Sequence, residues 1–281
     1  MNMDSGQIFR GQNLRVFETW NERGELVGGS SAKAGPRSLM PNPLRFQNGR
    51  MLKSVPAGSP LGLVKYDPSA ADFIVSKDLM SRKTLDSFLV PRKIGNVPDL
   101  PNTAIAIKVP TVAAVEDPSH PGFFKLAVWP GPPVFPAEYG EDKWDTFVWV
   151  DLNPNNPSRG DGSVARGKDA RKPGNTYNIT DVINFRDANG QTFIVTGMHL
   201  TTREIATWTW QTFWWTPDAA KPPAPSSPNI ADARPVKLLT MGAPAHYAAS
   251  LAYSMRTPGG NNVFAYNPYL ETVFTNPPHA C

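Results

Sequence analysis

Residues 192–216, TFIVTGMHLTTREIATWTWQTFWWT, constrain the fold more than any other part of the chain. They contain two runs rich in β-branched and aromatic residues, which are typical of strands. The polar turn between the runs, from Arg203 to Ile205, is too short for a parallel crossover connection. The stretch therefore predicts an antiparallel hairpin.

The second run of this hairpin carries five large rings within eight residues. Burial hides on the order of 150–250 Å² of each such ring, so the sequence predicts that this strand lies at the centre of the fold. The indole N–H groups then need partners, and Thr209 and Gln211 lie close enough in sequence to accept from them. If the rings were exposed instead, they would suit stacking on a sugar. The five rings belong to Trp208, Trp210, Phe213, Trp214 and Trp215.

Proline and charge patterning limit the class of protein. The 281 residues include 30 prolines and 22 glycines, a composition typical of a β protein with many loops, because proline is poorly tolerated inside helices and central strands. The 28 basic and 24 acidic residues give a net charge of +4, with no basic run longer than two. This spread of charge excludes an obvious nucleic-acid surface.

Strand patterns recur along the chain and are separated by turn-rich segments. Alternation of this kind predicts a mainly β fold, a large antiparallel β-sandwich or jelly-roll-like domain with a few peripheral helices. The four patterned segments outside the hairpin are residues 13–20, 103–109, 122–129 and 144–152.

Two segments show helical patterns. Asp67 before Pro68, and then Ser81, are typical helix starts, so residues 67–90 predict a broken pair of helices. The spacing of Tyr247, Leu251 and their neighbours predicts a second helical segment near 244–255. We predict a division into residues 1–66, a loop-rich segment that packs on the main domain, and residues 67–281, the main β-rich domain.

The termini and the single cysteine bear on the compartment. Cys281 is the only cysteine, so the chain has no internal disulfide. No stretch approaches the ~18–20 apolar residues of a membrane-spanning helix, and residues 1–11 lack the layout of a signal peptide. The sequence alone therefore fits a cytoplasmic protein, or a fragment whose export signal lies upstream.

Three passages in this order resemble one protein family. They are DFIVSKDLMSRKTLDSF with LPNTAIAIKV (within residues 72–109), TGMHLTTREIATWTWQTFWW (196–215) and YNPYLE (266–271). Together they resemble uncharacterised bacterial c-type cytochrome-like proteins, in which a similar Asn-Pro-Tyr-Leu-Glu passage shortly precedes a C-terminal Cys-x-x-Cys-His haem motif. The resemblance covers about two thirds of the chain, from Lys65 onward.

The resemblance implies an exported, periplasmic or secreted protein that transfers electrons to or from a redox partner protein. It also implies that Cys281 is the first haem-linking thiol and that haem c is attached in a longer gene product. The second cysteine and the adjacent histidine of the motif are missing from this sequence, so the haem site is incomplete in this chain.

Two residues of the hairpin are candidate axial ligands of a haem iron. His199 falls on the strand face shared with Val195 and Gly197, and Met198 falls on the opposite face. The alternative for His199 is a core histidine bonded to a backbone carbonyl or to Glu204, and the alternative for Met198 is packing.

Neither a metal site nor a catalytic residue is predicted. His279 and Cys281 give two ligands, whereas a structural zinc site takes four. The chain has no Gly-x-Ser-x-Gly motif and no glycine-rich phosphate loop, and its loop acids have no pairing signature. We therefore expect a non-catalytic scaffold for electron transfer. The alternatives are a cofactor-free binding module for a carbohydrate or a protein, and an unrecognised hydrolase.

Overall fold

The structure is a computed structural model that describes residues 4–9, 12–27, 46–47, 50–51, 61–90, 93–94, 97–132, 140–186, 189–206, 208–252 and 265–271. The strands are β1 (Asp4–Phe9), β2 (Gln12–Arg15), β3 (Asn21–Glu22), β4 (Phe46–Gln47), β5 (Arg50–Met51), β6 (Leu61–Tyr66), β7 (Leu89–Val90), β8 (Lys93–Ile94), β9 (Ile105–Ala113), β10 (Phe123–Ala127), β11 (Thr146–Asp151), β12 (Ala165–Arg166), β13 (Thr176–Asn178), β14 (Asn184–Arg186), β15 (Thr192–Val195), β16 (Gly197–Thr202), β17 (Thr209–Trp215) and β18 (Tyr247–Ala252). The α-helices are α1 (Arg23–Val27), α2 (Pro68–Ser76), α3 (Arg82–Ser87), α4 (Pro228–Asp232) and α5 (Pro268–Glu271). Short 3₁₀ helices cover Val16–Thr19, Glu141–Lys143, Pro173–Asn175, Ile179–Asp181, Val236–Thr240 and Ala243–His246.

The predicted mainly β fold is confirmed. The strands form multiple antiparallel sheets, the helices are short, and the arrangement is consistent with a β-sandwich-like domain. The largest sheet has the strand order β14-β15-β9-β16-β17-β18, and β6 adds to it by pairing with both β3 and β9. A second sheet has the order β10-β11-β12, with β13 parallel to β11. None of the helices in the described ranges is long and apolar enough to cross a membrane.

The chain divides into two compact units. The first unit contains Met1–Met40, Leu63–Lys108 and Leu200–Trp210, and the second contains Pro41–Gly62, Val109–His199 and Gln211–Cys281. The predicted division into residues 1–66 and 67–281 stays a prediction.

A buried lysine organises the first unit. Lys65 on β6 is fully buried, and its Nζ donates to the carbonyl oxygens of Glu18 at 2.7 Å and Trp20 at 3.2 Å. Its charge also faces Glu22, whose Oε1 lies 4.0 Å away. Burial raises the pKa of the Glu18 carboxyl, while the charges of Arg15 and Lys65 partly offset that rise. A buried ammonium is tolerated here because carbonyls and a carboxylate replace its water.

The predicted helical pair over residues 67–90 is confirmed. Helix α2 begins after Asp67, whose carboxylate accepts from the N–H groups of Ser69 and Ala70, and α3 begins after Ser81, whose hydroxyl accepts from Thr84 N. The Asp67 carboxylate also accepts from Ile105 N on β9 at 2.9 Å. One side chain therefore caps α2 and fixes the helix to a strand.

The prediction of a strand over residues 13–20 is only partly correct. The strand ends at Arg15, and the 3₁₀ helix Val16–Thr19 follows. The Glu18 carboxylate accepts from Arg15 N at 2.6 Å, and the Thr19 hydroxyl donates to Val16 O at 2.7 Å. These short-range bonds close a turn that the alternation of apolar residues does not reveal.

The hairpin residues form β15, β16 and β17. Strands β15 and β16 both pair with β9 and are separated at Thr196, whose N–H donates to Pro110 O. Pro110 has no backbone N–H that could donate back to Thr196, so the ladder of hydrogen bonds is interrupted at this pair. Strand β17 runs antiparallel beside β16, since Trp215 N donates to Thr196 O and the hydroxyls of Thr202 and Thr209 are 2.6 Å apart. The predicted antiparallel hairpin is confirmed.

The predicted helix near 244–255 is wrong over its described part. Residues 243–246 form one 3₁₀ turn, and residues 247–252 form β18, the neighbour of β17 in the sheet. Small residues and tyrosine occur both in strands that are covered on two faces and in the apolar stripe of a helix. The pairing with β17 shows that this segment is a strand. The Tyr247 hydroxyl donates to Val195 O and accepts from Ile183 N, so its ring is fixed inside the sheet.

The dual role of Asp67 gives a stability prediction. We expect Asp67→Ala to lower the free energy of unfolding by about 2 kcal/mol, because the N–H groups of two helix residues and of Ile105 lose their acceptor. The matched control is Ser81→Ala, which removes a single 3.4 Å cap bond from an exposed helix and should cost about 0.5 kcal/mol. Urea denaturation curves measure both changes, and equal losses would contradict the bridging role of Asp67.

Candidate functional site

Residues 267–271 form a short buried segment that we call the anchor segment. It begins at Asn267, which is fully buried and precedes helix α5. The side-chain Nδ2 of Asn267 donates to Phe213 O at 2.7 Å and to the Thr212 hydroxyl at 2.9 Å, and its Oδ1 accepts from Tyr269 N at 3.0 Å. The carboxamide therefore joins the anchor segment to the backbone and a side chain of β17.

Gly197 provides the space for this carboxamide. A Cβ atom on Gly197 would lie 2.7 Å from Asn267 Nδ2, 2.8 Å from Asn267 Oδ1 and 2.9 Å from Phe213 O. Real Cβ atoms do not approach other atoms so closely, so a side chain at this position would displace Asn267. Glycine is required here by the close approach of the amide, as glycines in strands often are.

Two further side chains hold the anchor segment. Glu271 Oε1 lies 2.9 Å from His199 Nε2 on β16, and Glu271 Oε2 accepts from the Asn267 backbone N–H. The buried Tyr269 hydroxyl donates to Ala127 O on β10 at 2.7 Å, and burial raises the pKa of this phenol well above its usual value. The anchor segment is thus bonded to β10, β16 and β17.

Both candidate axial ligands lie among the described residues. The side chain of His199 is 12% exposed and its Nε2 is used by Glu271, 72 residues away in sequence. The alternative predicted for His199 is a core histidine bonded to a backbone carbonyl or to Glu204. In the structure its partner is indeed a carboxylate, but it is that of Glu271 and not that of Glu204. Met198 is 7% exposed and packs in the core. Axial ligation by either residue stays a prediction.

The remaining sequence-predicted ligands fall outside the described residues. Cys281, the predicted first haem-linking thiol, and His279 both lie beyond residue 271. In the part of the chain that the structure describes, no group of three or more His, Cys, Asp or Glu residues is arranged to hold a metal ion.

An aromatic cluster surrounds the anchor segment. Trp129, Trp214, Ala248 and Tyr269 form a buried group, and the half-buried rings of Trp144 and Tyr266 pack against it. Trp144 meets Trp129 at 5.2 Å and Tyr269 at 5.1 Å between ring centroids, and Tyr266 meets Trp129 edge-on at 6.1 Å. Tilted and edge-on arrangements are the favourable ones for such rings.

The tryptophans of β17 divide between core and surface. Trp214 and Trp215 are fully buried, as predicted, whereas Trp210 is 36% exposed. Trp215 Nε1 donates to Asp181 O at 3.0 Å, and Trp214 Nε1 is buried with no hydrogen-bond partner among the described residues. The predicted acceptor Thr209 instead bonds to Thr202.

Sequence reasoning missed a second group of rings, around His246. The imidazole stacks on Trp215 with centroids 6.2 Å apart and meets the Tyr177 ring edge-on at 5.7 Å. Burial lowers the pKa of His246, an effect that Asp181 opposes at 3.8 Å and Arg234 reinforces. Burial also raises the pKa of Tyr177 to about 12. His246 lies far in sequence from Tyr177, so no local pattern could have joined them.

Comparisons of the chain with protein-family models, with curated proteins and with solved structures found no significant match.

The His246 environment gives a pH prediction. Because burial holds the folded-state pKa below the ordinary value of about 6.5, protonation favours the unfolded chain, and stability falls as the pH drops from 6.5 through the folded pKa. His246→Gln cannot take up this proton. We therefore expect the free energy of unfolding of the variant to fall less steeply than that of the wild type between about pH 6.5 and 5. Parallel slopes in urea titrations would refute this assignment.

Proposed function

We propose that this chain is the non-catalytic β scaffold of a periplasmic, c-type cytochrome-like electron-transfer protein. Haem c would be attached through Cys281 in a longer gene product that also supplies the second cysteine and the histidine of the motif. The haem would supply the redox chemistry when attached, and the scaffold would tether the attachment site to its core.

The observation that carries the proposal is the burial of the anchor segment just before the candidate thiol. Glu271 precedes Cys281 by ten residues, and the anchor segment is bonded to β10, β16 and β17. A chain of ten residues spans at most ~36 Å. A group linked at Cys281 therefore stays within that distance of a segment set in the core, and this tether is what supports the proposal.

The axial ligands are proposed to come from residues outside the described ranges. His199 is occupied by Glu271 and Met198 is packed in the core. We accordingly assign His199 a structural role in holding the anchor segment, and leave ligation to the histidine of the completed motif and to a residue elsewhere in the longer product.

The haem proposal is tested on the extended gene. We expect the codons after Cys281 to read x-x-Cys-His, and the extended protein, made in a strain with a cytochrome maturation system, to show a Soret band that survives denaturation. Cys281→Ala should lose covalently held haem, whereas Ser163→Ala in an exposed loop should keep it. A stop codon directly after Cys281, or an extended product without Soret absorption, would eliminate the proposal.

A second candidate function, carbohydrate binding without a cofactor, is supported by Trp210. This indole is 36% exposed on β17, and an exposed ring offers a face on which a sugar can stack. If the chain binds glycans through this ring, a glycan array should give signals that Trp210→Ala abolishes and Leu239→Ala preserves. An array without signals for the wild-type chain would remove this candidate.

A further inference from the structure

We infer that residues 267–271 act as a latch that docks into a preformed notch beside Gly197, and that Asn267 is the residue that positions the Cys281-bearing end of the chain. The inference rests on the proposed function only for what Cys281 carries. The docking itself is argued from contacts between described residues of the second unit.

The first argument is the fit between the notch and the carboxamide. The missing side chain of Gly197 leaves a space that the Asn267 amide occupies, since a Cβ on Gly197 would lie 2.7 Å from Asn267 Nδ2 and 2.8 Å from Asn267 Oδ1. Behind the notch, Phe213 O and the Thr212 hydroxyl accept both amide hydrogens. Gly197 belongs to β16 and the two acceptors belong to β17, and these strands are neighbours in the large sheet.

The second argument is that the latch organises its own conformation. The Glu271 carboxylate accepts from Asn267 N, while the N–H groups of Leu270 and Glu271 donate to Asn267 O. Pro268 at the first helical position needs no donor. The five residues thus form one capped turn through their own hydrogen bonds. We therefore expect them to dock and undock as a unit.

The third argument concerns the consequence of docking for Cys281. With the latch docked, Cys281 lies within ~36 Å of Glu271, because ten residues cannot reach further. Without the contacts of Asn267, this limit on the position of Cys281 no longer applies. Asn267 therefore limits where a group attached at Cys281 can be.

Hydrogen exchange on the full 281-residue chain tests the docking without any haem. The amides of residues 269–271 should be protected in the wild type and exchange at least about tenfold faster in Asn267→Ala, since the loss of buried hydrogen bonds opens the segment. Thr212→Val removes one acceptor and should give a smaller increase. The exposed Leu239→Ala is the matched control and should change nothing, while retention of slow exchange in β11 shows that each variant is folded.

Gly197→Ala provides an independent route to the same state. Its added Cβ should expel the carboxamide and reproduce the fast exchange of Asn267→Ala. The added Cβ would also lie 2.9 Å from Phe213 O, a clash that remains without the Asn267 side chain, so the single variant carries this test. Unchanged protection in Gly197→Ala would overturn the docking.

Spin labels test the positioning. Nitroxides on Cys281 and on Lys168→Cys, an exposed position in the same unit, should give a broader distance distribution in Asn267→Ala than in the wild type or in Leu239→Ala. Identical widths would overturn the positioning role. If the amides of residues 269–271 are protected but the extended protein never binds haem, the docking stands and the proposed function is eliminated.

Discussion

The close approach of the Asn267 carboxamide to β16 and β17 is the contact on which the candidate site depends. It places a fully buried polar group against backbone, which costs free energy unless every donor and acceptor is satisfied. Phe213 O, the Thr212 hydroxyl and Tyr269 N satisfy it. Gly197 makes the approach sterically possible. Five residues from three separate parts of the chain thereby fix one segment of the second unit.

The aromatic cluster and this polar contact support each other. Trp214 and Tyr269 are excluded from water, so the hydrogen bonds between the anchor segment and the strands are made in a medium of low polarity, where leaving a bond unmade is expensive. The Glu271 and His199 pair closes the other side of the segment. Apolar burial thus supplies the stabilisation, and the polar contacts decide which segment is bound and in which position.

Local sequence signals predicted part of this structure and could not predict the rest. The caps at Asp67 and Ser81, and the hairpin of β16 and β17, depend on neighbours within a few residues and are confirmed. For residues 247–252 the sequence predicts a helix, whereas the structure has a strand. The composition of this segment fits both the helical and the strand periodicity, and its pairing with β17 makes it a strand. The strand pattern predicts a core position for His199 bonded to a backbone carbonyl or to Glu204, but its partner Glu271 lies 72 residues away and no local pattern indicates it. The role of Gly197 likewise exists only once Asn267 is in place.

The side-chain amide of Asn267 offers the most direct measurement of the central claim, that the anchor segment is set into the notch beside Gly197. In NMR spectra of the 281-residue chain, the two Nδ2 protons should have separate, widely dispersed shifts, exchange slowly with water and show cross-peaks to the Gly197 α protons. An Asn267 amide with averaged shifts, rapid exchange and no contact to Gly197 would contradict the account.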